Sequence, residues 1–277
     1  MGDLTGKVAF ITGAARGQGR SHAVRLAEDG ADIIAVDIVE DIETAYYSMS
    51  RPEDLDETVR LVESLGRKIV ARKADVRVQS ELDAAVAEGV AAFGPIGIVC
   101  ANAGMAASAK TWEMTDEQWQ NVLDVNLTGV WRTIKATVPT MIEANQGGSI
   151  ILTSSLAGLK GYSNIASYVA SKHGVNGLMR VLANELGSYG IRVNSVCPGL
   201  INTPLMMNDF TYALFRPELD NPTQADALEV FRTMQALPID WLEPRDVSNV
   251  VAFLASDDAA HLTGVAVPVD AGQIGLG

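Results

Sequence analysis

Short apolar runs alternate along the chain with longer stretches in which apolar residues recur at helical spacing. The runs lie at 8–11, 33–36, 69–71, 98–101, 149–153, 192–196 and 265–269, and the spacing predicts helices near 21–28, 53–65, 80–92, 116–143, 167–186 and 247–255. Such alternation is the pattern of βαβ units, in which a parallel sheet is covered by helices on both faces. No repeat, linker or change of composition divides the chain, so a single α/β domain over residues 1–277 is expected. Two segments break the rhythm, residues 38–52 after the second run and residues 203–241 after the sixth. Long excursions in a compact α/β domain are commonly functional loops or lids.

Composition removes several classes of function. With 277 residues and 48% hydrophobic side chains the chain can bury a large core, and its formal net charge of −13 offers no basic face for nucleic acid. No apolar run is long enough for a membrane span. The N-terminal stretch lacks a charged head followed by an apolar region, and Gly6 stands where a myristoylation signal carries Ser or Thr, so a cytoplasmic location is expected. Cys100 and Cys197 each sit inside an apolar run and read as buried thiols. The three histidines, His22, His173 and His261, lack ligand spacing, so no metal is expected.

The stretch TGAARGQG, residues 12–19, joins the first strand to the first helix. Gly13 permits a tight turn there, Gly17 removes a side chain that would keep a pyrophosphate off the backbone, and Gly19 lets the helix approach the sheet. The helix N-terminus then offers free N–H groups and a positive dipole end to phosphates. Asp37, at the end of the second strand, can accept both ribose hydroxyls of an adenosine and repel a 2′-phosphate, which favours NAD over NADP. Arg16 pulls the other way, either as a partner for a 2′-phosphate or as a solvated charge. Asp75 and Val76, after the third strand, offer a carboxylate and an apolar face to an adenine; Asp75 reads equally well as a cap for the next helix.

The sequence YVASK, residues 168–172, places Tyr168 and Lys172 four apart on a helix and so on one face. An ammonium held near a phenol lowers the phenol pKa from about 10 and makes it a proton-transfer group. Ser155, thirteen residues before Tyr168, can hydrogen-bond the same substrate oxygen, and the spacing favours it over Ser154.

Together with Asn102-Ala103-Gly104, Asn126 and Pro198-Gly199, these residues resemble the short-chain dehydrogenase/reductase family over nearly the whole chain. The resemblance implies a Rossmann-like, doubly wound sheet of seven parallel strands. In it Tyr168 is the general acid/base, Ser155 orients the carbonyl or alcohol oxygen, Lys172 binds the nicotinamide ribose, and Asn126 holds a water in a proton relay. The implied nucleotide contacts are Gly13, Arg16, Gly17, Gln18, Gly19, Asp37, Ile38, Asp75, Val76, Asn102, Ala103, Gly104, Tyr168, Lys172, Pro198, Gly199, Ile201 and Thr203. Ile201 and Thr203 match positions that meet the nicotinamide carboxamide.

The 38–52 insertion and the GRSH sequence at 19–22 further resemble the mycofactocin-coupled, carveol dehydrogenase-like subgroup of that family. That resemblance implies a lipophilic secondary alcohol and its ketone as substrates, with a retained NAD reoxidised by a peptide-derived redox carrier. The insertion is expected over the adenosine. Substrate contacts are expected in 203–241, where Leu205, Met206, Met207, Phe210, Tyr212, Leu214, Phe215, Phe231, Met234 and Leu237 offer an adaptable apolar lining. Family members commonly form homotetramers through the two long central helices. The competing readings are a 3-ketoacyl or steroid-type dehydrogenase with freely exchanging NAD, a double-bond reductase on the same fold, and a non-catalytic NAD sensor.

Overall fold

The computed structural model describes residues 2–276; the outermost residues of the expected 1–277 domain, Met1 and Gly277, lie outside them. Seven strands form one wholly parallel sheet: β1 (Val8–Thr12), β2 (Asp32–Asp37), β3 (Ile69–Lys73), β4 (Ile98–Ala101), β5 (Gly148–Thr153), β6 (Ile191–Pro198) and β7 (Ala266–Val269). Their order is β3-β2-β1-β4-β5-β6-β7, so the chain reverses its direction of travel between β1 and β4. The crevice beyond the carboxyl ends of those two strands is where open α/β sheets take their ligands.

Strand residues are apolar on both faces because both faces are covered. Phe10, Ile34, Val99, Ile150 and Val193 point into one core layer. Their chain neighbours Ile11, Ile33, Ile98 and Ile151 point into the other, as the two-residue period of a strand requires. The first layer packs under α3 (Gln79–Phe93), α5 (Gly129–Ala144) and α6 (Ala166–Leu186), and the second under α1 (Gly17–Glu28), α2 (Pro52–Ser64) and α9 (Pro244–Ala255).

The expected helix at 116–143 is present with an interruption: α4 (Asp116–Leu123) runs through a π turn, Asp124–Thr128, into α5. Single π turns inside helices are frequent at functional sites, and this one carries Asn126. The region 203–241 contains two helices that the pattern did not separate, α7 (Asp209–Phe215) and α8 (Gln224–Thr233). Both begin at side-chain caps, Asn208 accepting from the Thr211 N–H and Thr223 from that of Asp226. They close over a third, small core of Leu200, Tyr212, Ala227 and Phe231. Ser21 and His22 of the GRSH stretch fasten α1 to α9, their Oγ and Nδ1 lying 2.7 and 2.8 Å from Ser248 Oγ. Burial pushes the His22 imidazole down to about 3, which keeps it neutral. Among the described residues no helix is long and apolar enough to cross a membrane.

Candidate active site

The glycine turn leaves β1 with Gly13 at φ +67° and enters α1 with Gly17 at φ +55°. A Cβ on Gly13 would stand 2.9 Å from the Ala103 Cα, and one on Gly19 would stand 1.9 Å from the Gly13 carbonyl oxygen. Gly19 therefore seats the helix on the turn itself, a closer role than the expected approach to the sheet. Thr12 Oγ1 accepts from the backbone N–H groups of Asn102 and Ala103, both at 3.0 Å, and Asn102 Nδ2 donates back to the Thr12 carbonyl at 3.1 Å. Thr153 Oγ1 donates to Asn102 Oδ1 at 3.2 Å. These bonds lace the carboxyl ends of β1, β4 and β5 into one rigid rim.

Asp37 ends β2 with its carboxylate nearly enclosed. It accepts from the Ala15 N–H at 2.9 Å, from the Val39 N–H at 3.1 Å and from Ser50 Oγ at 2.5 Å. The carboxylate thus also ties both ends of the 38–52 insertion to the glycine turn. Val39, β-branched, is held at φ +45°, a conformation that costs on the order of 1–3 kcal/mol and persists only where neighbours enforce it. Arg16 takes neither expected role, because its guanidinium donates to the Ser48 carbonyl and joins the turn to the insertion. Asp75 is not the cap of the next helix. Its carboxylate is held by the Arg77 guanidinium at 2.7 Å and by the Arg77 N–H at 2.8 Å, and α3 starts at Val78 without a side-chain cap.

On α6, Tyr168 and Lys172 share a face, with Lys172 Nζ 5.5 Å from the Tyr168 ring centroid. Lys172 is buried and donates to the Thr153 carbonyl at 2.8 Å. Ser155 lines the cavity beside Tyr168, close enough to favour its phenolate, and accepts from the Ala157 N–H at 3.1 Å. Ser154 points away, donating to the Lys172 carbonyl at 3.0 Å. Burial pushes the Lys172 ammonium down to about 8. Burial also raises the Tyr168 phenol, and Ser155 beside it opposes that rise. The direction is the reverse of the expected lowering by Lys172, because the same enclosure that brings the pair together penalises charge on both. Asn126 lies behind the cavity wall, clasping the Met105 backbone through Nδ2 to O at 2.9 Å and N–H to Oδ1 at 2.8 Å. A Cβ on Gly104 would come 3.4 Å from Asn126 Oδ1 and 3.6 Å from Lys172 Nζ, so the bare glycine keeps the space between them open.

One cavity of about 500 Å³ runs from the glycine turn past Asp37 and Val76 to Tyr168. Of the expected nucleotide contacts every one lines it except Gly19, which is under the turn. The insertion contributes Ile42, Tyr46, Tyr47, Met49 and Ser50 to the wall and reaches beyond the nucleotide end: the Tyr46 ring stacks on Phe210 at 4.3 Å between centroids and 24° between planes. Of the expected apolar lining, Leu205, Met206, Leu214, Phe215 and Met234 face the cavity. Tyr212 and Phe231 instead fill the small core, and Leu237 is exposed. The pattern missed Ala106, Tyr162, Thr211 and Gln273 in the wall. Tyr162 Oη and Gln273 Oε1 are buried with no hydrogen-bond partner among the described residues. No local motif marks either residue: Tyr162 lies in the loop between β5 and α6, and Gln273 follows the edge strand β7.

The cradle fits a dinucleotide: a methyl group on Gly13 would collide with backbone, and the cavity continues from that bare turn to the Tyr168 hydroxyl. The sequence profile described as short chain dehydrogenase matches residues 7–212. The (−)-trans-carveol dehydrogenase of Rhodococcus erythropolis is 50% identical over 273 residues, 98% of this chain and 99% of that protein. The cyclohexanol dehydrogenase of an Acinetobacter species is 38% identical over 95% of this chain and 93% of its own length. The crystal structure of carveol dehydrogenase from Mycobacterium avium in complex with NAD superposes with a TM-score of 0.97 at 52% identity, covering 99% of both chains.

Proposed function

The chain belongs to the short-chain dehydrogenase family, and on that premise we propose that it is an NAD-dependent dehydrogenase interconverting a lipophilic cyclic secondary alcohol and its ketone. The observation that carries this reading is the convergence of Ser155, Tyr168 and Lys172 in the same cavity as Asp37 and the glycine turn.

Gly13, Gly17 and the start of α1 would hold the pyrophosphate, Asp37 the adenosine ribose, Val76 the adenine face, and Lys172 the nicotinamide ribose, with Ile201 and Thr203 toward the carboxamide. When bound, NAD supplies the acceptor for the hydride that leaves the carbinol carbon. Tyr168 Oη takes the alcohol proton in oxidation and returns it in reduction. Ser155 donates to the same substrate oxygen and fixes it against Tyr168. Asn126 and Lys172, flanking the open space at Gly104, pass the proton outward through water.

The insertion supports retention of NAD, being fastened by Ser48 to Arg16, by Ser50 to Asp37 and by Thr44 to Asn121. We accordingly place a peptide-derived redox carrier of the mycofactocin type as the acceptor that reoxidises the nucleotide in place. Exposed Trp119 and Trp131 along the α4–α5 rod and Val181 on α6 support assembly as a homotetramer.

The test is to incubate the purified protein with NAD, cyclohexanol or carveol and an artificial electron acceptor that reoxidises the bound nucleotide, and to identify by mass spectrometry any nucleotide it carries. Ketone formation with reduction of the acceptor is expected. Absence of turnover across a series of cyclic secondary alcohols, with no NAD binding, overturns the reading.

A further inference from the structure

We propose that Tyr46, carried by the 38–52 insertion, is a specificity-determining wall of the substrate chamber, so that the insertion selects the alcohol as well as covering the nucleotide. The inference rests on the alcohol-dehydrogenase reading above and names the residue that sets the size of ring the site accepts.

Tyr46 lines the cavity together with Tyr168, Ile165 and Leu214. Its ring is fixed on two faces, stacked on Phe210 of α7 and edge-on to Tyr47 at 5.4 Å and 63°. Thr211 lines the same cavity and is itself anchored, its N–H donating to Asn208 Oδ1 at 2.9 Å. The wall is therefore a rigid aromatic surface held by the substrate lid. A cover that served the adenosine alone would have no reason to be anchored to α7.

The Tyr46 phenol is pushed up to about 12, chiefly by burial and secondarily by the neighbouring Tyr168, which puts it beside the reacting end of the cavity. Tyr47, edge-on to Tyr46, lines the same cavity, with Arg16 and Asp37 of the nucleotide end and Tyr168 of the reacting end all within its electrostatic reach. The ligand that suits a flat aromatic wall opposed by Met206 and Met234 is an alicyclic ring with apolar substituents, whose hydroxyl reaches Tyr168.

The experiment compares kcat/KM for cyclohexanol and for 4-tert-butylcyclohexanol, with NAD and an artificial electron acceptor supplied, in the wild type, Tyr46→Ala, Tyr46→Phe and Phe210→Ala, with bound NAD measured in each. One or two methylene-sized differences in an apolar pocket discriminate by about 10–200-fold. Tyr46→Ala should therefore move the bulky-to-small ratio at least ten-fold toward the bulky alcohol, with NAD content close to wild type. Tyr46→Phe should keep the wild-type ranking because the ring stays in place. Phe210→Ala, which loosens the wall from the lid side, should shift the ranking in the same direction as Tyr46→Ala and carries the test if that variant does not fold. An active wild type whose ranking is unchanged in both truncated variants overturns the inference alone. A wild type that oxidises neither alcohol and binds no NAD overturns the functional reading, and the inference falls with it.

Discussion

Ser155 shares the cavity with Tyr168, while Ser154, next to it in the chain, sends its hydroxyl 3.0 Å to the Lys172 carbonyl. Both residues follow the end of β5, and the extended backbone at Ser155 sends successive side chains to opposite sides. Ser155→Ala should lower kcat by about ten-fold or more, since it removes a donor to the reacting oxygen, and cost about 1 kcal/mol of stability through the lost cap on the Ala157 N–H. Ser154→Ala should cost a similar amount through its lost buried hydrogen bond while kcat stays close to wild type. Steady-state kinetics and thermal melts on the two variants check both; equal loss of kcat in the two would mean that Ser155 has no special place at the substrate.

Tyr168→Phe removes one oxygen and keeps the ring, so NAD binding and fold should persist while kcat falls by about 10²–10⁴. The pH profile separates the acid from the base role. Burial holds the phenol above its ordinary range, so alcohol oxidation, which needs the phenolate, should rise with pH into the alkaline region, and ketone reduction, which needs the phenol, should fall. Both limbs should vanish from the residual activity of Tyr168→Phe; their survival would assign the proton to another group.

Lys172 is a buried cation whose pKa falls from 10.5 to about 8. Between those values the unfolded chain binds more protons than the folded one, so this group makes stability rise with pH from about 8 to 10.5. Below 8 both states are protonated and the full cost is present, on the order of 3 kcal/mol at ~1.4 kcal/mol per unit. Lys172→Met should consequently melt at a higher temperature than the wild type at pH 7, despite losing the bond to the Thr153 carbonyl, and should be inactive. The advantage should shrink as pH is raised toward 10. Differential scanning calorimetry of the pair across that range decides it, and a constant difference would mean that the buried ammonium is not the source of the cost.

The sheet was legible because each strand is an apolar run bounded by turns, and the strand-turn-helix context gave the glycines of residues 12–19 their meaning. Asp37, Ser155, Tyr168 and Lys172 were found by position and spacing, and all four reach the cavity. Part of what could not be read depended on contacts distant in the chain, since Arg16 meets Ser48 only because the insertion folds back on the turn. Asp75 was obscured for a local reason: Arg77, two residues on, holds its carboxylate, a turn that composition does not distinguish from a free carboxylate. The lid misled for a different reason: Phe231 and Leu237 have similar hydropathy, yet the first sits on α8 and fills the small core, whereas the second lies past the end of α8 and faces solvent. Tyr46 was expected over an adenosine and lies against Phe210 because the insertion is long enough to cross from β2 to the lid.

The two ends of the insertion make a last outcome separable from the rest. Tyr47 is enclosed between Tyr46 and the charged pair Arg16 and Asp37, so its removal should loosen the nucleotide cover while leaving the Tyr46–Phe210 wall standing. Loss of a buried aromatic contact of ~1–2 kcal/mol corresponds to roughly a five- to thirty-fold change in affinity, and such changes are expressed mainly in the off-rate. Tyr47→Ala should therefore lose NAD on prolonged dialysis where the wild type keeps it, and gain turnover when free NAD is supplied. Ser50→Ala, which removes the 2.5 Å bond to Asp37, should move release in the same direction. Neither should change the ranking of bulky and small alcohols. Replacing residues 39–51 by a short turn combines the effects and should abolish both retention and ring-size selectivity. Retained NAD after dialysis, measured by absorbance of the released nucleotide, gives the answer directly. If wild type and Tyr47→Ala hold it equally, or if the wild type never holds it, the insertion does not control nucleotide exchange, and NAD is an ordinary diffusible substrate of this enzyme.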